Sequence, residues 1–69
     1  MPLTMLTTGM ENKIKKITGT DETRRFLESL GFVVGACVSV VSEISGNMIV
    51  NVKDSRVAID KTMARRIVV

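Results

Sequence analysis

The chain has 69 residues, 45% hydrophobic, 25% charged and only 3% aromatic, with a net charge of +3, no histidine and one cysteine. It is too apolar for a disordered segment and too short for more than one compact core, which must be aliphatic. No apolar run approaches the about 20 residues that span a bilayer, and the residues for a zinc site or a nucleophile and base pair are missing.

Met1 to Gly9 reads as a lead-in and a turn, because Pro2 opposes an early helix and Thr7, Thr8 and Gly9 are turn formers. From Met10 to Thr18, Ile14 and Ile17 lie among Lys13, Lys15 and Lys16, the pattern of a first strand with one wet face. The opening residues carry no basic region followed by a long apolar run, and Cys37 has no partner for an internal disulfide. A cytoplasmic location is expected on those grounds.

Thr20 is placed to cap a short helix, with Asp21 and Glu22 where the helix dipole favours negative charge. At about 100° per residue, Thr23, Phe26, Leu27 and Leu30 share one arc and Asp21, Arg25 and Glu28 the opposite one. The first arc is expected to close over the core, with Phe26 and Phe32 both inside. Arg24 and Glu28 are spaced to pair on the flank. Gly31 suits the left-handed residue after the helix, and Phe32 can fold back on the last turn.

Val33 and Val34 lead to a turn at Gly35, and Ala36 to Ser45 reads as a strand with Val38 and Val40 on one face and Ser39 on the other. Val41 breaks that alternation and predicts a bulge near Val41 to Glu43. Gly46 and Asn47 are read as a hairpin turn into Met48 to Lys53, and Asp54 and Ser55 as the next turn. Val57 and Ile59 then face in and Arg56 and Ala58 out, while Val41 and Ile49 would form a small outer apolar patch. Asp60 to Ala64 suits a helical turn, and Ile67 to Val69 a last strand against the first. About five short strands with one inserted helix make an all-β fold, a small antiparallel barrel over residues 1–69, because closure removes exposed edges.

Few residues offer chemistry. Gly31 and Gly35 follow a helix instead of opening one, so they do not form a phosphate cradle. Cys37, beside Ala36 and Val38, reads as a packed strand residue. Glu43, Asp54 and Asp60 fit turns and solvated positions. Nucleic-acid binding is not expected, since only two aromatic residues are available for stacking and the helix is too short to read a groove. No enzymatic activity is expected. The outer helix edge, Arg24, Arg25 and Glu28, is the candidate partner-binding surface.

Taken together, Leu6, Gly9, Ile14 and Ile17, then RRFLESLGFVVG with Arg24, Arg25, Leu27, Leu30, Gly31, Phe32 and Gly35, and later VAIDKTMARRIVV, give a pattern that resembles the FeoA family over nearly the whole chain. That resemblance implies an SH3-like barrel and an accessory role at the cytosolic side of the FeoB transporter in bacterial ferrous iron uptake. It assigns no catalytic residue, no cofactor and no metal ligand here. The alternative it leaves is a regulatory domain that binds iron or another divalent transition metal through oxygen ligands and Cys37.

Overall fold

Valine-rich segments in the middle of the chain fold as a meander. In the computed structural model, which describes all 69 residues, β1 (Glu11–Lys13), β3 (Cys37–Ile44), β4 (Asn47–Val52) and β5 (Ser55–Asp60) form an antiparallel sheet in the order β1-β3-β4-β5. A second sheet pairs β2 (Lys16–Ile17) with β6 (Ile67–Val68). Helix α1 (Asp21–Ser29) is inserted between β2 and β3, and a single turn, α2 (Lys61–Ala64), joins β5 to β6. A 3-10 turn, Leu3–Met5, leads in.

The expected all-β architecture with its inserted helix is present, but the sheet is not closed into a barrel. The segment from Met10 to Thr18 is two strands, not one. The Ile14 amide donates to the Ala36 carbonyl at 2.9 Å, and the next amide, Lys15, donates to the Val68 carbonyl at 2.7 Å. The chain thus changes sheet across one peptide, with the Ile14 side chain buried at the corner.

Both hairpins close one residue earlier than read from the sequence. Ile44 pairs with Asn47 around Ser45 and Gly46, whose φ angles are 49° and 83°. Val52 pairs with Ser55 around Lys53 and Asp54, at 46° and 63°. Two-residue loops of this kind need positive φ at both central positions, since their twist matches that of the strands. The expected bulge is present, as the β3–β4 register shifts between Val40 and Ser42. It leaves Val41 and Ile49 half-buried, so they do not form an open patch.

The core is wholly apolar, with no buried polar side chain. Val38 and Val40 from β3, Met48, Val50 and Val52 from β4 and Ile59 from β5 meet Leu27 of α1, Phe32 and Ile67. Two expectations fail here. Phe26 is 48% exposed, because α1 fully buries only Leu27 and the ring lies at the margin of the apolar arc. Cys37 is exposed, since Val38 and Val40 take the core face and alternation turns their odd-numbered neighbour outward.

The two ends of the chain lie together. Pro2 bridges Val68, the Val69 amide donates to the Met1 carbonyl at 2.7 Å, and the Met1 ammonium donates to the Val69 carbonyl at 2.8 Å.

Candidate interaction surface

Helix α1 is held at both ends by groups the sequence announces. The Thr20 hydroxyl accepts from the Thr23 amide at 3.2 Å, satisfying one donor of the first turn. At the other end, the Gly31 amide donates to the Glu28 carbonyl at 2.9 Å and the Phe32 amide to the Leu27 carbonyl at 3.0 Å. Those two bonds are the Schellman pattern, and Gly31 takes the left-handed backbone it requires, with φ 104°. Leu27 and Phe32 are both fully buried, so the end of the helix is pinned to the core.

That anchoring turns Asp21, Arg24, Arg25 and Glu28 to solvent, where they surround one shallow hollow of about 280 Å³. Arg24 pairs with Asp21 at 3.4 Å and not with Glu28 as the spacing suggested. Both side chains of that pair are well exposed, so it adds little stability. Arg25 and Glu28 enter no ion pair within the chain. They remain available to a partner without loss of an internal contact.

Arg24 and Glu28 also line a second, adjoining groove of about 480 Å³, completed by Lys16, Ile17, Val33 and Val34. Val34 is 67% exposed. The charged ridge of α1 therefore runs into an apolar floor supplied by β2 and by the strut after the helix. Sequence reasoning found the ridge but missed this floor. Lys16 and Ile17 reach it through the β2–β6 sheet, which only the change of sheet at Ile14 explains, and the signal for Val34 was its place in a valine pair just before Gly35.

No three side chains of histidine, cysteine, aspartate and glutamate type converge to hold a metal ion. The alternative of a metal-sensing domain thus finds no ready cluster of ligands. No helix is long and apolar enough to cross a membrane.

An antiparallel SH3-like fold with an inserted capped helix, an apolar core and a charged outer ridge defines a small accessory domain. The chain belongs to the FeoA family, whose FeoA domain matches residues 1–69. FeoA domains are linked to ferrous iron transport and are not a known enzyme family. A crystal structure of an iron uptake regulatory protein, FeoA, is 29% identical with a TM-score of 0.89, covering 97% of this chain and 91% of that one. The zinc complex of Stenotrophomonas maltophilia FeoA, described as a prokaryotic SH3 domain protein, is 27% identical with a TM-score of 0.85, covering 99% of this chain and 87% of that one. FeoA from Chlorobium tepidum shares the fold at a TM-score of 0.89 and 24% identity, covering 99% of this chain and 67% of that one. No curated protein matches the sequence.

Proposed function

We propose that the chain is a non-enzymatic interaction module of bacterial ferrous iron uptake, acting in the cytoplasm as one domain on the cytosolic GTPase region of a FeoB-type transporter. Family membership supports the iron-transport setting, as does the proposal of S. maltophilia FeoA as a ferrous iron transport activating factor. The observation that carries a docking role is the ridge of Arg24, Arg25 and Glu28 running into the groove floored by Ile17, Val33 and Val34. Charged groups at a rim set orientation and choice of partner, while an adjoining apolar floor supplies burial.

Titration of the purified transporter GTPase region, without nucleotide and with guanosine di- or triphosphate, tests this reading. Binding is expected in at least one nucleotide state. Arg25→Ala should weaken it by about tenfold, and Val34→Asp by more. Absence of binding in every state sinks the proposal.

Divalent-metal binding is a second reading, favoured only by the zinc in the S. maltophilia structure. Glu43, Asp54, Asp60 and Cys37 would have to serve as ligands. Unchanged backbone amide shifts on adding ferrous or zinc ion would remove it.

A further inference from the structure

A strand at the edge of a sheet carries a row of unpaired backbone groups, and natural proteins usually guard it with charge, shortness or a bend. Of the two edges in the four-stranded sheet, β1 has three residues and leaves the sheet at Ile14. Strand β5 has six. The two-residue loop makes Val52 and Ser55 a hydrogen-bonded pair, so Ser55, Val57 and Ile59 turn their N–H and C=O groups toward β4. Arg56 and Ala58 turn theirs outward, away from the sheet.

The side chains along this edge are opposite in charge at its two ends. Arg56, Ala58 and Asp60 share the solvent face, and all three are exposed. Four residues apart on a strand is about 13 Å, too far for Arg56 and Asp60 to meet within one chain, and neither forms an ion pair. Like charges along an edge would repel a second copy. This sequence of charges is complementary to its own reverse.

We infer that β5 pairs with β5 of a second copy of this chain, antiparallel about a two-fold axis through Ala58, making one continuous sheet across a homodimer. In that register Ala58 faces Ala58 of the other copy, and Arg56 faces its Asp60 on both sides of the axis. The backbone pairs are the outward-facing ones, so the pairing and the charges agree in phase. Asp60 can serve both roles, because its Oδ1 accepts from the Met63 amide at 2.8 Å and leaves the other carboxylate oxygen free.

The same surface accounts for the exposed ring of Phe26. Phe26 and Met63 line a hollow with Ala58, Ile59 and Asp60 at this edge. The aliphatic stem of Arg56 from the second copy arrives there beside Asp60, over the ring, a favourable place for a guanidinium. This inference makes no use of the α1 ridge, so its failure leaves the proposed docking function standing.

Sedimentation equilibrium of the intact chain, with loading raised to about 1 mM, tests the inference. The wild type is expected to self-associate to a dimer, and Arg56→Glu, which sets two carboxylates opposite each other, to weaken the dimer at least tenfold. Ala58→Pro removes an amide that β4 does not use, so the monomer should keep its melting temperature and lose the dimer. Hydrogen exchange at the Ala58 amide should slow as concentration rises. A chain that stays monomeric throughout, including one that instead accepts a foreign extended peptide at this edge, overturns the inference, as does an Arg56→Glu dimer of wild-type strength.

Discussion

Leu27 and Arg25 lie two positions apart on α1 and have opposite consequences when truncated. Leu27 is fully buried against Phe32 and the sheet, and Leu27→Ala is expected to cost about 3 kcal/mol. For a domain this small that is a large share of about 5 kcal/mol of total stability. A melting temperature lowered by about 15 °C in calorimetry is the expected reading. Leu30 is only partly buried, so Leu30→Ala should cost less, and an equal loss would show that the helix end sits deeper than described. Arg25→Ala should leave the melting temperature within about 0.5 kcal/mol equivalent. At this scale the sequence was legible wherever alternation alone decides a side chain's direction, as with Val38, Val40, Met48, Val50 and Ile59. It failed at Phe26, where the apolar arc was wider than the contact available to a helix of nine residues.

The helix itself was readable because its start and stop use local chemistry. Thr20 and Gly31 need no knowledge of the rest of the fold to act as they do. Thr20→Ala should destabilise by about 1 kcal/mol and Thr20→Asn scarcely at all, which thermal melts of the two variants would separate. At Gly31, an added Cβ would meet Lys53 and Val52 atoms no closer than 3.7 Å, an ordinary contact. The expected cost of Gly31→Ala, about 1–2 kcal/mol, is therefore one of left-handed backbone and not of space. If Gly31→Ala melts like the wild type, the Schellman assignment is wrong. The hairpins were legible as hairpins but placed a residue late. Ser45 and Lys53 are not the residues one expects at positive φ, and the pull came from Asn47 and Ser55, which look like turn residues yet sit in strands. Register across β3 and β4, fixed by which valines face the core, overrides those preferences.

Over the whole molecule, the strand order was only half legible. Neighbouring strands joined by short loops pair as meanders, so β3, β4 and β5 follow from the sequence. The corner at Ile14 does not follow, because an isoleucine among lysines looks the same whether the strand continues or changes sheet. The candidate surface inherits that blind spot, since its apolar floor depends on β2 standing apart from β1. Ile14→Ala should accordingly cost about 2–5 kcal/mol and loosen both sheets together, seen as amide exchange quickening at Val38 and at Lys16 in the same variant. Loss of protection in one sheet alone would show that the corner does not couple them.

The meeting of Met1 and Val69 has a mechanical consequence. Bonds between antiparallel strands run across the strand direction, so a pull applied to the two ends loads the Met1–Val69 contacts first, then the Pro2–Val68 bridge, then the β2–β6 pairs, one after another. No set of bonds resists in parallel. Tethered by its termini in an optical trap, the domain should unzip at low force from that seam, and a single high-force rupture would show that the seam is not the first to open.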